Sequence, residues 1–277
     1  MIVQKTLKIL AQIPGWNRSL SLHRTVPLAH KQYLRHFSAD GHRLTIESNE
    51  IQSDRPHDEK STPPTMPRPR RKRIVVAVTG ATGAPLATSL LLHLKKLDVE
   101  MHLILSTWGS ATLKYELEAP NNTAAYLASL AHYSYSPRDV SASLSSGSFR
   151  TDGMIVVPCS MKTLAGIRMG YDNDLITRSA GVTLKERRRL VLVARETPLS
   201  SIHLENMLEV TRAGAVVFPP MMTFYTKPKA IQDMVEQSVR RMIDLLDLGF
   251  EDHIHADGDG RWNGFEWKKK MSDEKQA

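Results

Sequence analysis

The stretch Arg73-Ile74-Val75-Val76-Ala77-Val78-Thr79-Gly80-Ala81-Thr82-Gly83-Ala84 decides the fold class. Its opening, Arg73 to Val78, is a short, almost continuously apolar and β-branched run, the composition of a parallel strand buried on both faces. Thr79 to Ala84 then turns the chain into a helix predicted from Pro85 to Lys96, with the proline suited to an early helical position. The small residues Gly80, Ala81 and Gly83 let backbone amides, together with the Thr82 hydroxyl, approach a phosphate at a helix N-terminus. A merely tight strand-to-helix turn has the same composition, and the spacing is not GxGxxG.

The alternation continues toward the C-terminus. Further strands are predicted at Val99–Leu105, Met154–Val157, Leu190–Ala194 and Ala215–Phe218. Helices are predicted near Ser110–Leu117 and Thr123–Ala131, then at Thr163–Met169, Ile176–Arg187, Ser201–Ala213 and Lys229–Leu246. This order implies a single α/β domain over residues 73–249, a doubly wound parallel sheet of Rossmann-like or flavodoxin-like type with ligands at the carboxyl ends of its strands. Ser160-Met161-Lys162-Thr163 follows the Met154–Val157 strand as Gly80–Gly83 follows the first. Two such loops at neighbouring strand ends point to a flavin or nucleotide phosphate.

The formal net charge of +8 suggests a nucleic-acid binder until the charge is located. Residues 1–73 carry 14 Lys+Arg against 6 Asp+Glu, and residues 74–277 carry 23 of each. The excess is therefore confined to the leader, and basic residues of the folded part need local explanations. Residues 1–39 hold no acid but include Lys5, Lys8, Arg18, Arg24, Lys31 and Arg35, and Ile2, Val3, Leu7, Ile9, Leu10 and Ile13 can share a helical face. That is the pattern of a mitochondrial transit peptide over residues 1–37, with Arg35-His36-Phe37-Ser38 as a matrix-processing site; a disordered basic tail is the alternative. Residues 38–72 are polar and proline-rich and read as a disordered linker, and residues 250–277 as a partly disordered tail.

One cysteine, Cys159, rules out an intrachain disulfide and a cysteine-rich zinc site, implies a reducing compartment, and reads as a packed side chain. No run of about 18 apolar residues occurs, so no membrane span is expected. His253 and His255 with Asp252 supply too few ligands for a metal. Arg178, Lys185, Arg195 and Arg241 are the anion-binding candidates, with Tyr225 as a hydroxyl donor. Lys185 and Arg187-Arg188-Arg189 also suit a solvated helix end, and Phe224-Tyr225 also suits ordinary packing. Arg195-Glu196 directly follows an apolar strand, where site residues emerge.

From about Arg73 to Gly249 the chain resembles the UbiX flavin prenyltransferases. The resemblance rests on TGATGA at 79–84, Ser145-Ser146-Gly147-Ser148, PCSMKTL from Pro158, Asn173-Asp174-Leu175-Ile176 with Arg178, LKERR, ARETP, HLENM and Phe224-Tyr225. It implies a flavodoxin-like fold, a homo-oligomer that is typically a dodecamer, and active sites between subunits. It also implies a metal-independent reaction in which dimethylallyl monophosphate is joined to N5 and C6 of reduced FMN. The product, prenylated FMN, is the cofactor of UbiD-type decarboxylases. By resemblance, FMN contacts Gly80, Ala81, Thr82, Ser106, Ser160, Met161, Lys162, Thr163 and Arg195, and the prenyl phosphate meets Arg178, Lys185, Glu196, Tyr225 and Arg241. Glu116 aligns with a carboxylate that assists proton movement during ring closure, paired with the Thr82 hydroxyl; the alternative is an exposed helix residue near Lys114. Trp262, in an Arg-Trp pair like one near the family's C-terminus, is the candidate aromatic for an allyl cation.

Thr82 stands where serine is frequent in bacterial members, Lys162 where some have a small residue, Gly181 where Asp is common, and Met222-Thr223 where Pro and Ala are usual. No phosphate ligand is lost. Two other readings compete. Flavin-dependent decarboxylases of peptidyl or pantothenoyl cysteine carry a histidine after the second strand and a PASANT loop, whereas Thr107–Thr112 holds no histidine and the loop here reads PCSMKT. A non-catalytic FMN-binding subunit has no use for a second phosphate site.

Overall fold

The computed structural model describes residues 70–250. The transit peptide, nearly all of the linker, and the tail with His253, His255 and Trp262 lie outside the described residues. Six strands, β1 (Arg73–Val78), β2 (Glu100–Leu105), β3 (Tyr133–Tyr135), β4 (Gly153–Cys159), β5 (Arg189–Ala194) and β6 (Val216–Val217), form one sheet in the order β3-β2-β1-β4-β5-β6. Every pairing is parallel. Helices α1 (Ala84–Lys96), α2 (Thr107–Glu116), α3 (Ala124–Leu130), α4 (Met161–Met169), α5 (Leu175–Lys185), α6 (Ser201–Arg212) and α7 (Ile231–Leu246) cover both faces. The sheet is the doubly wound, flavodoxin-like one expected, and its order reverses direction between β1 and β4.

Alternation along β1 divides the core. Ile74, Val76 and Val78 face Leu90, Leu91 and Leu94 of α1 with Val239, Met242, Ile243 and Leu246 of α7. Val75 and Ala77 face the other layer, with Leu164, Leu175, Ile176, Ala180 and Val210 from α4, α5 and α6. All of these side chains are buried, so truncating any of the leucines to alanine costs about 2–5 kcal/mol. The central strands are covered on both sides, which is why they read as continuous apolar runs.

The structure departs from the sequence reading in several places. Strand β3, a three-residue edge, was not expected, because Tyr133-Ser134-Tyr135 carries no apolar run. It is held by His102 of β2, which is 2% exposed, stacks on Tyr133 and Tyr135, and bonds Tyr135 Oη through Nδ1 and Glu100 Oε1 through Nε2, both at 2.8 Å. Arg73 Nε donates to the same Glu100 oxygen. Strand β4 continues past Pro158 to Cys159, because a register shift between Val156 and Cys159 accommodates a residue with no N–H. Helix α2 begins at Thr107 rather than Ser110; Ser106 caps it, and Gly109 fits where any Cβ would lie 2.6 Å from Val78 O. Helix α7 begins at Ile231, two residues later than expected, where Asp233 accepts from the Lys229 and Ala230 amides.

Candidate functional site

At the reversal point the carboxyl ends of β1, β2 and β4 open into a cleft of about 620 Å³. Thr79 joins two of these ends. Its hydroxyl donates to Pro158 O and accepts from Ser160 N, each at 2.8 Å, and its own N–H also reaches Pro158 O. Two helix starts meet the cleft beside it, each capped by a serine: Ser106 Oγ accepts from Gly109 N, and Ser160 Oγ accepts from Thr163 N. A serine that caps with its lone pair still has a proton to donate to an anion. Gly80 lets α2 come this close, since a Cβ there would overlap Trp108 Cβ.

Of the residues named for FMN, Gly80, Ser106, Ser160, Lys162 and Thr163 line this cleft. Lys162 is exposed in the first turn of α4, which contains no acid. Ala81 and Thr82 follow in the turn but are not part of the wall, Met161 packs against the core, and Arg195 is exposed where β5 ends. The sequence reading missed Thr79, Trp108, Met169, Tyr171 and Asn173, which also line it. Trp108 lies two residues beyond Ser106, and its size in the first turn of α2 was the signal available.

Glu116 is not the exposed helix residue of the alternative reading. It reaches from the end of α2 to the start of α1, where Oε2 accepts from Gly83 N at 2.8 Å and Ala84 N at 2.7 Å. These two amides at the start of α1 are thus already occupied by a carboxylate. The bond is to the backbone beside Thr82 rather than to the Thr82 hydroxyl, and the charge sits at the positive end of the helix.

The cations form a second group outside the cleft wall. Arg178 and Lys185 are seven residues apart on α5, on one face. Arg178 Nε donates to Ser145 O at 3.1 Å and Nη1 to Asp172 Oδ2 at 2.9 Å. Lys185 Nζ donates to Glu186 Oε1, which holds that carboxyl below its usual range, and both groups lie so close to Gly147 that a Cβ there would overlap them. Arg188 binds Gly147 O and Phe149 O on the same loop. Solvated helix end is therefore a wrong description of Arg188. Glu196 accepts from its neighbour Thr197 N, Arg241 pairs with Asp244 at 3.4 Å, and Tyr225 is 53% exposed. None of these three lines the cleft. Cys159 is fully buried, and burial pushes its thiol up to about 12. Among the described residues no group of three or more His, Cys, Asp or Glu is arranged to hold a metal, and no helix is long and apolar enough to cross a membrane.

Comparison with known proteins follows the same lines. The family model described as Flavoprotein matches residues 64–243. The chain is 58% identical over 201 residues to the flavin prenyltransferase PAD1, mitochondrial, of Saccharomyces cerevisiae, covering 72% of this chain and 79% of that one. A solved structure of AnUbiX (PadA1) in complex with FMN and dimethylallyl pyrophosphate superposes with a TM-score of 0.66 at 58% identity, covering 71% of this chain and all of that one. A dodecameric FMN-dependent UbiX-like decarboxylase from Escherichia coli O157:H7 superposes with a TM-score of 0.63 at 48% identity, over 69% of this chain and all of that one. With its family model, its relatives and its sheet in agreement, the chain belongs to the flavoprotein family, among the UbiX-like flavin prenyltransferases.

Proposed function

We propose that this protein joins dimethylallyl monophosphate to reduced FMN, at N5 and C6, to make prenylated FMN. The observation that carries the reading is the pairing of a cleft at the sheet reversal with a separate cationic group on α5. The cleft fits FMN: its volume is in the range of cofactor sites, Gly80 lets Trp108 pack close enough to give it an aromatic wall, and serine-capped helix starts face it. FMN would be held by Gly80, Ser106, Ser160, Lys162 and Thr163, with Ala81, Thr82, Met161 and Arg195 around them. When bound, reduced FMN supplies the nucleophilic N5 and C6.

The rest of the work falls to the chain. Cleaving the allylic carbon–oxygen bond moves an electron pair onto the departing phosphate. Arg178, Lys185 and Arg241, with the Tyr225 hydroxyl, stabilise that growing charge, and several converging cations make a metal unnecessary. Glu196 joins them as the acid of the group once the oligomer completes the site. Glu116, whose Oε2 accepts from Gly83 N beside Thr82, moves a proton in the ring-closing stage. Glu196, Tyr225 and Arg241 stand apart from the cleft on the surface of one chain, which supports a homo-oligomer, a dodecamer by likeness, that completes each site. The product goes to a UbiD-type decarboxylase. The acid-free leader supports delivery to the mitochondrial matrix, with residues 1–37 as transit peptide and 38–72 as linker before the 73–249 domain.

The test is anaerobic. Purified protein with reduced FMN and dimethylallyl monophosphate yields a flavin heavier by one prenyl group; unmodified FMN, with a known flavin prenyltransferase active in parallel, refutes the reading. Lys185→Ala or Arg241→Ala abolishes this turnover while FMN still copurifies. Loss of FMN itself in either variant refutes their placement at the prenyl phosphate.

A further inference from the structure

We infer that Asp172 is the positioning residue for Arg178, and that Gly181 admits it; this rests on Arg178 being a ligand of the prenyl phosphate. Arginine is a long side chain with several rotatable bonds, and one left to itself on a helix surface samples many positions. Arg178, 40% exposed in its side chain, is instead held from two directions. Ser145 O takes Nε at 3.1 Å from the serine loop, and Asp172 Oδ2 takes Nη1 at 2.9 Å from the α4–α5 connection. Nη2 makes no bond among the described residues, so the clamp leaves one edge of the guanidinium for an anion.

Gly181 on α5 leaves room beside the Asp172 carboxylate. A Cβ at Gly181 would lie 3.2 Å from Asp172 Oδ1 and 3.8 Å from Oδ2. Any side chain at 181 would therefore press on the carboxylate that holds Arg178. Gly181 sits inside a helix at a normal helical φ, where glycine is less favourable than alanine by about 1 kcal/mol, so the backbone gives no reason for it. Space for Asp172 is such a reason.

The connection carrying Asp172 is short and shared. Tyr171 and Asn173, on either side of it, line the flavin cleft, whereas Asp172 does not. Tyr171 is anchored to α4 through its N–H on Gly166 O, and Asp174 caps α5 with Oδ1 on Thr177 N at 2.8 Å. Fixed at both ends, the connection presents Gly170, Tyr171, Asn173 and Asp174 to the flavin cleft and Asp172 to Arg178. One five-residue link, Gly170–Asp174, thus serves both sites, and the acid on it aims a cation at the phosphate leaving the partner of the flavin.

The experiment compares wild type with D172A, D172N, R178A and D172A/R178A as full-length proteins, measuring KM for dimethylallyl monophosphate, kcat and FMN copurification. D172A raises KM about three- to tenfold, the scale of a partly exposed charge-assisted bond, with FMN content unchanged. D172N, which keeps an oxygen for Nη1, lies between wild type and D172A. In the R178A background D172A adds less than about twofold, because its effect passes through Arg178. Additive losses in the double variant, an unchanged KM in D172A, or FMN loss equal to the loss of turnover overturns the inference. If R178A leaves KM unchanged, the phosphate reading of Arg178 itself is overturned, and the inference with it. G181A gives an independent check, moving KM in the same direction as D172A although alanine is the better helix former.

Discussion

Replacing Glu116 separates its two roles. In the wild type, Glu116 Oε2 accepts from both Gly83 N and Ala84 N, and E116A leaves these half-buried donors at the start of α1 without an acceptor. Nothing local substitutes for it: Gly83 has no side chain and the first turn of α1 contains no acid. Losing a capping acceptor costs about 1 kcal/mol, up to about 2, and losing a carboxylate's attraction to the helix dipole costs about 0.3–1 kcal/mol. The combined loss of about 2 kcal/mol lowers Tm by about 4–8 °C in a domain of this size. E116Q keeps an oxygen before the same amides and loses mainly the charge, so its Tm falls by only about 1–3 °C. Proton transfer is affected in the opposite proportion: E116Q already loses turnover by about 100-fold. Thermal unfolding at one fixed protein concentration, set beside single-turnover formation of prenylated flavin, reads both. An E116A protein that melts with the wild type refutes the helix-start role, and full turnover by E116Q refutes the proton role.

Gly80→Ala places a Cβ against the backbone and Cβ of Trp108, which side-chain rotation cannot relieve, so it destabilises by about 1–3 kcal/mol and lowers the flavin-to-protein absorbance ratio; an unchanged ratio contradicts the cleft as drawn. Stability also falls in mild acid. Burial lowers the His102 pKa, an effect the neighbouring Glu100 only partly offsets, with Arg73 and His132 also disfavouring the charge. Glu100 itself is kept below its usual range because bonds from Arg73 and His102, with their charges, together outweigh its own desolvation. A histidine depressed in the folded state contributes its stability fully above its unfolded pKa, about 6.5, and loses it as pH falls through that value. Tm therefore declines below about pH 6.5 in the wild type and more shallowly in His102→Gln; parallel profiles would remove the cause assigned here. Cys159, with its thiol pushed up to about 12, stays unlabelled by thiol reagents at pH 8 until the protein is unfolded, and rapid labelling of the folded protein is the contrary result.

The clearest failures of sequence reading share a cause. By residue type alone Glu116 also suited a solvent-facing position near Lys114, the alternative to the role its resemblance implies, because nothing local shows that the end of α2 returns to the start of α1. Arg188 sat in a basic run that suited a solvated helix end, yet its guanidinium binds carbonyls some forty residues away. Tyr133–Tyr135 lacked an apolar run because an edge strand needs only one buried neighbour, and His102 supplies it by stacking.

What the sequence determined by itself is the layer order and the position of the site along each strand. Apolar runs of strand length alternating with helical periods leave little besides a doubly wound parallel sheet, and the small and hydroxyl residues at 79–84 and 160–163 mark the strand ends where a ligand lies. Those signals are local, carried by periodicity and by the conformational freedom of a few residues. Only the tertiary structure decided which backbone amides remain available and which acid holds each cation. Glu116 at Gly83 and Thr79 between Pro158 and Ser160 are meetings of distant segments, and Asp172 meets Gly181 and Arg178 only once α5 has folded back beside its own leading loop. Hydrogen bonds act over about 3 Å, and that distance between such segments is set by packing of the whole sheet and its helices.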